Sequence, residues 1–400
     1  MRKLVFVAAA LVGTMLLADD KVPSRFVVHE WGTFTSMQGS DGVVLEGLYH
    51  EEAELPKFVY RRSAQKYASA GIRMKMETPV IYFYSDVERK AQVRVDFPQG
   101  VMTQWYPQAW EFGPELAAEG QRPEATGGFL DWQEVSIVPD RGQAVPMPTV
   151  GKGDPWTFAR ETDSAFVRTS WGPKGTDEWE KYLFYRGLGT FDLPLEVNED
   201  WGFLVIKNRG DQPIEHAFVL NVEGEKASFA PIPRLEAGQS TSQLKVPRGA
   251  LSVQTNGEQL GKALENALVA SGLYAKEASA MVRTWEKSYF HTPGTRVLYV
   301  VPRAWTEKLL PCTIDPKPDE WVRVLVGRVE VLGREHEARV AGWVRMLGSD
   351  DLAVRDEGTR GLASLGRFAE PNLRRALAQA TDPEVKGRCE QLLEQLMPAR

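Results

Sequence analysis

Apolar and polar residues alternate without a break from Ala91 to Phe97, which predicts a strand with one wet face. The run Val80–Tyr84 just before it is continuously apolar, as in a strand covered on both faces. Polar residues 85–90 suit a hairpin connection between the two. A second pair follows at Phe203–Lys207 and Ile214–Glu223, joined by the turn residues Asn208 to Pro213. Shorter strands are expected at Phe26–Thr35, Glu134–Val138, Tyr182–Arg186, Ala227–Pro231 and Gln243–Val246. The stretches Pro107–Gly128 and Pro139–Pro155 are rich in Pro and Gly and read as long surface loops. Many short strands joined by such turns predict a mainly β body, an antiparallel sandwich over residues 19–250.

The period then changes. Leu260, Leu264, Ala267 and Leu268 share one helical face, and Ala278, Met281, Val282, Trp285 and Tyr289 form a stronger stripe that Pro293-Gly294 ends. Arg296–Val301 and Trp321–Leu332 return to strand patterning around a short helix at Trp305–Leu309. Residues 251–332 are therefore a mixed α/β segment, packed on the β domain or continuous with its sheet. Residues 333–400 read as helical. Their stripes are Val340, Trp343, Val344, Leu347; then Val354, Gly358, Gly361, Leu362, Leu365; then Val385, Cys389, Leu392, Leu393, Leu396. Asp351 and Asp382, 31 residues apart, open similar strings before the last two. This tail resembles HEAT-like repeats, with Ala369–Leu373 at an inter-helix turn. Two repeats cannot bury their faces alone, so the Val340 stripe is expected to dock on the body near Trp321–Leu332.

Composition narrows the class. With 400 residues, 43% hydrophobic and 26% charged, the chain is neither disordered nor a polytopic membrane protein. Met1-Arg2-Lys3, the apolar run Leu4–Ala18 and then Asp19-Asp20 have the layout of a signal peptide over residues 1–18. The run is shorter than the roughly 20 residues a bilayer span needs. Export to the periplasm or extracellular space is expected, with no stable membrane insertion after cleavage. Losing Arg2 and Lys3 takes the net charge from −6 to −8, which opposes nucleic-acid binding. Export would permit a disulfide, but Cys389 falls on an apolar stripe and Cys312 follows Pro311. Two cysteines describe neither a disulfide scaffold nor a zinc site.

Three strings carry a resemblance: Val27-Val28-His29-Glu30-Trp31-Gly32-Thr33-Phe34-Thr35-Ser36, Met76-Glu77-Thr78-Pro79-Val80-Ile81-Tyr82-Phe83-Tyr84 and Thr295-Arg296-Val297-Leu298-Tyr299-Val300-Val301-Pro302-Arg303. They are similar to strings in a broad set of uncharacterised exported bacterial proteins. The resemblance implies export and a shared fold across residues 25–332, and it transfers no catalytic residue.

The chemistry must come from the residues. Gly257 to Gly261-Lys262 is one residue short of a P-loop, and Ala263 stands where a magnesium-binding hydroxyl would be needed. No Gly-x-Ser-x-Gly elbow is present. Five histidines form no His-Glu-x-x-His motif. His29 and Glu30 should leave opposite faces of a strand unless a bulge near Gly32 re-aims one. His216 shares a face with Ile214, Phe218, Leu220 and Val222 and reads as a core histidine, while His50 with Glu51, Glu52 and Glu54 reads as a solvated acidic loop. His29, Glu77 and His291 are the candidates for a composite catalytic site, and Trp105, Tyr106 and Trp110 for a ligand-binding cluster. No cofactor is implied. The sequence favours an exported binding or scaffolding protein for a protein or saccharide ligand. The alternative is a metal-dependent hydrolase assembled from scattered His and Glu residues.

Overall fold

The computed structural model describes residues 25–46, 48, 54–62, 71–114, 124–249 and 251–396. The expected signal peptide and the His50, Glu51, Glu52 cluster lie outside the described residues. With strands numbered along the chain, the largest sheet has ten. One half of it runs β16 (Leu251–Ser252), β14 (Lys226–Ile232), β13 (Ala217–Glu223), β17 (Gly294–Val300) and β19 (Glu320–Leu332). The other half continues with β1 (Phe26–Gly39), β3 (Met74–Ser85), β10 (Leu183–Gly189), β5 (Gly100–Tyr106) and β2 (Tyr60–Arg61).

A six-stranded sheet holds β18 (Cys312–Asp315), β4 (Arg89–Phe97), β7 (Gly128–Val138), β8 (Phe166–Thr169) and β9 (Glu178–Glu180), with β6 (Glu111–Gly113) on β7. A three-stranded sheet joins β11 (Leu195–Asp200), β12 (Phe203–Asn208) and β15 (Leu244–Lys245). Eight α-helices complete the described chain: α1 (Pro155–Ala159), α2 (Val253–Ala270), α3 (Ala275–Trp285), α4 (Arg303–Leu309), α5 (Arg334–Met346), α6 (Leu352–Ser364), α7 (Glu370–Gln379) and α8 (Pro383–Leu396). None among the described residues is long and apolar enough to cross a membrane.

The period-2 alternation sorts the large sheet into two faces. On one, Phe34, Ile81, Phe83, Leu183, Tyr185, Val297 and Leu325 pack against Val93, Val95, Leu130 and Trp132 of the six-stranded sheet and Val197, Leu204 and Ile206 of the three-stranded one. On the other, Trp31, Tyr82, Phe184, Leu220 and Val324 meet Leu260, Leu264 and Leu268 of α2 and Ala278, Met281 and Trp285 of α3. The result is a mainly β body of three layers, with helices on the third. Residues 251–332 are continuous with the sheet, since β17 and β19 lie in its middle.

Three expectations change. The large sheet is mixed rather than antiparallel, because β1 pairs parallel with β19 from Val27↔Glu320 to Gly39↔Leu332. The stripe Val340, Trp343, Val344, Leu347 does not face the body. It packs on Leu362, Leu373, Cys389, Leu392 and Leu393 in a core belonging to the tail itself, because four short helices supply enough apolar surface to close one. Gly358 and Gly361 permit this: a Cβ at Gly361 would stand 2.3 Å from the Trp343 ring. The tail meets the body by other contacts, in which Phe368 packs on Met37, Leu45, Leu48 and Leu332, and Glu337 accepts from the Ser40 hydroxyl at 2.7 Å. His216 is half-buried rather than part of the core. Cys312 and Cys389 are free thiols beside separate cores.

Candidate functional site

The strings of β1, β3 and β17 converge in the middle of the large sheet, and the convergence depends on one extra residue. Trp31 pairs with Val80, but two residues on, Thr33 pairs with Glu77, so β3 carries a bulge at Thr78-Pro79. Thr78 has φ +56°, a left-handed conformation that a β-branched residue rarely adopts. Pro79 lies flat on Gly32, where a Cβ would come within 2.8 Å of the Pro79 Cα. The bulge inverts the alternation of β3. Beyond it, Met74 and Met76 face the sheet-covered core, and Lys75 and Glu77 turn to the helix-covered side that Val80 and Tyr82 also face.

Helix α3 runs into a π-helical turn, Glu286–Phe290, in which Tyr289 stacks on Trp285 of the same apolar stripe. The Tyr289 hydroxyl donates to Glu77 Oε2 at 3.0 Å, Thr35 Oγ1 donates to the same oxygen at 2.8 Å, and Lys75 Nζ lies 2.8 Å from Oε1. Burial would raise the Glu77 carboxyl, but the charges of Lys75, Arg328 and Arg186 together outweigh it and hold the group well below the usual carboxylate range. Arg328 stacks over the Tyr289 ring at 4.0 Å and pairs with Glu330, which also binds Arg296 at 3.1 Å and Arg367 of the tail at 3.1 Å. Arg296 further donates to the backbone oxygens of Tyr289, Thr292 and Pro293. The network ties β1, β3, β17, β19, the π-turn and the tail together. Glu77, ionised and holding three donors, is not poised to take up a proton.

Two cavities adjoin this centre. A chamber of about 90 Å³ is walled by Trp31, Trp156, Tyr182, Phe184, Trp285 and Tyr289, with Glu77 and Thr78 also lining it. Pro155, Thr284 and Ser288 line both this chamber and a larger cleft of about 1360 Å³. The cleft lies between α3, the tip of the β11–β12 hairpin, and the tail. Exposed cations Arg248, Lys287 and Arg339 share its walls with Glu223, Glu286 and Glu335. Trp201, 67% exposed, stands on the two-residue hairpin turn with φ +48°, followed by Gly202 at φ +89°. Asn-Gly is the usual pair for such a turn, so a tryptophan there is strained. Glu199 braces it, accepting from the backbone N–H groups of Gly202 at 2.5 Å and Arg334 at 2.8 Å.

The ligand cluster read from sequence is redistributed. Trp105 and Tyr106 lie on β5 and are buried, with the Trp105 indole donating to Gln108 Oε1 at 2.8 Å and Tyr106 packed on Phe58 and Trp156. Neither offers a ring face to solvent; both are pinned because β5 is an inner strand here. Trp110 is 53% exposed beside Trp171.

The composite site does not assemble either. His29 is fully buried, its Nδ1 2.8 Å from Glu277 Oε2, between the rings of Tyr84 and Tyr274. Glu77 sits opposite Thr33, four positions along β1, with a separate set of partners. His291 follows the π-turn, half-buried, its Nε2 4.0 Å from Glu286. Glu30 and His29 do leave opposite faces, Glu30 pairing with Arg323 at 2.5 Å. Among the described residues, no three His, Cys, Asp or Glu side chains gather closely enough to hold a metal ion.

Sequence reasoning missed Lys75, Arg186, Tyr289, Arg328 and Trp201. The signal for the charges was present, since Lys75-x-Glu77 and Arg328-x-Glu330 interrupt otherwise apolar strands.

No protein-family model and no curated protein sequence matches the chain. Among solved structures, a yeast delta-COP-I mu-homology domain complexed with a Dsl1 WxWxV peptide is similar at 7% identity and a TM-score of 0.25, covering 77% of this chain and 96% of that one. The same yeast domain without the peptide gives 6% identity, a TM-score of 0.27, and coverage of 77% and 95%. Likeness of this size carries no argument about function.

Proposed function

We propose that this chain is an exported binding protein that holds a peptide segment of a partner protein in the cleft between its β body and its helical tail. The observation that carries the reading is Trp201. It is a large, exposed aromatic on a turn that disfavours it, braced from below and facing a cleft of about 1360 Å³. Strain retained at an exposed position is characteristic of binding surfaces. The volume exceeds the roughly 300–1,000 Å³ of small-molecule pockets, and walls of both charges suit a peptide better than a neutral glycan. Export is supported by Met1–Lys3 and the apolar run to Ala18. The tail is read as two HEAT-like units, supported by Asp351 and Asp382 capping α6 and α8 alike, each accepting a backbone N–H two residues on at 2.8 Å.

Peptide display against the full-length mature protein, repeated with Trp201→Asn, tests the reading. Asn suits the left-handed turn, so the variant should fold with stability near that of wild type. Enriched peptides should bind wild type and lose most of their affinity for the variant. Equal binding to both, or binding on a glycan array without any peptide binding, would overturn it.

A further inference from the structure

We infer that the aromatic chamber above Glu77 is a binding site for a small alkylated ammonium group. Six aromatic side chains wall it, and their planes differ: Trp285 stacks on Tyr289 at 12°, Trp31 stands at 87° to Trp285, and Trp156 is tilted 47° from Tyr182 and 58° from Phe184. Such boxes attract cations through the negative faces of the rings, and most strongly where water is excluded. Among the described residues the charged side chains of the lining are Glu54, Glu77, Asp154 and Arg186. Lys75 already neutralises Glu77, and Asp154 caps α1 by accepting from the Trp156 N–H, so the preference for a cation rests on the ring faces.

At about 90 Å³ the chamber is smaller than the roughly 150 Å³ cavity that admits benzene, so it takes an alkylated ammonium head only because it opens toward the cleft. Thr284 and Ser288 line both chamber and cleft, which gives the head group a path in and leaves its substituent in the wider space. The strained Thr78, whose hydroxyl accepts from the Trp285 indole at 3.2 Å, and the π-turn carrying Tyr289 hold two walls in place. The inference stands on the chamber alone and does not require a peptide in the cleft.

Calorimetric titration of the full-length mature protein with choline, and with its neutral isostere 3,3-dimethylbutan-1-ol, tests it. Choline should bind saturably, and the neutral isostere about tenfold more weakly or worse, the discrimination expected of a desolvated cation site. Thr284→Phe, which fills the mouth, should abolish choline binding while leaving the melting temperature unchanged; Ser288→Leu provides an independent block if the first variant is unstable. Equal binding of the two compounds would make the chamber a plain apolar pocket and overturn the inference. So would the absence of saturable choline binding, or choline binding that survives both blocks.

Discussion

Replacing Glu77 by Gln isolates the weight of the buried charge network. Glu77 is 5% exposed and its carboxylate holds three donors, from Lys75, Thr35 and Tyr289. A glutamine keeps the volume, and its carbonyl can still accept from Thr35 or Tyr289. Its amide N–H₂, however, would confront Lys75, which is 2% exposed and would lose the Glu77 charge 2.8 Å away. Breaking a buried pair by neutralising one partner costs about 3–5 kcal/mol, where an exposed pair would cost at most about 1 kcal/mol. With a urea slope of about 3 kcal/mol per molar, the midpoint should fall by about 1 M or more. The pH dependence gives a second reading. A carboxyl whose folded pKa lies below its unfolded value of 4.5 stabilises fully above that value and loses the contribution as pH falls through the folded pKa. The gap between wild type and Glu77→Gln should therefore be widest near neutrality and narrow below about pH 4.5. Urea melts of both proteins at several pH values supply the assay. A cost below about 1 kcal/mol at neutral pH would show that Lys75 and its neighbours do not depend on this carboxylate, and would refute the argument.

Leu362→Ala should cost about 2–5 kcal/mol, felt by the tail, because Leu362 belongs to the tail's own core; hydrogen exchange should quicken in α5 to α8 and not in β17 or β19. Gly327→Ala should destabilise by about 1–3 kcal/mol or more in thermal melts, since its Cβ would stand 2.2 Å from the Tyr299 ring that crosses over it from β17. Burial pushes the Cys312 thiol up to about 12 and raises Cys389 as well. Both should resist alkylation at mildly alkaline pH in the native protein and react once it is denatured, which mass spectrometry reads directly.

The strands that alternation marked, such as Ala91–Phe97, stand in the structure because one of their faces is wet, and period 2 is then visible. Strand β5 was harder to read. GVMTQWY is buried at every position, so its residues carry no alternation, and Trp105 and Tyr106 read as ligand-binding aromatics. The helical stripes of the tail were legible as stripes, but a stripe does not say what it faces. Val340 and Leu347 could equally have covered the body, and only the closure of four helices on one another decided against it. The bulge at Thr78-Pro79 is a single inserted residue with no periodic signature, yet it sets which way Lys75 and Glu77 point. The π-turn has the same character: the sequence put Tyr289 on a regular helix, whereas it lies in a π-turn with its hydroxyl on Glu77. Local irregularities of this kind assembled the site, whereas period reading registers only what repeats.

The parallel pairing of β1 with β19 has a bearing on how the molecule is made. Strand β1 sits in the middle of the large sheet, and one of its two neighbours is supplied by residues nearly three hundred positions later in the chain, as in Val27↔Glu320. Contacts so distant in sequence are closed late, because the intervening chain must first surrender its freedom. Until β19 arrives, thirteen consecutive paired positions of β1, from Val27 to Gly39, have no partner on that side, and the sheet is two open halves. A nascent chain emerging from its N-terminus would thus stay unlocked for most of its length.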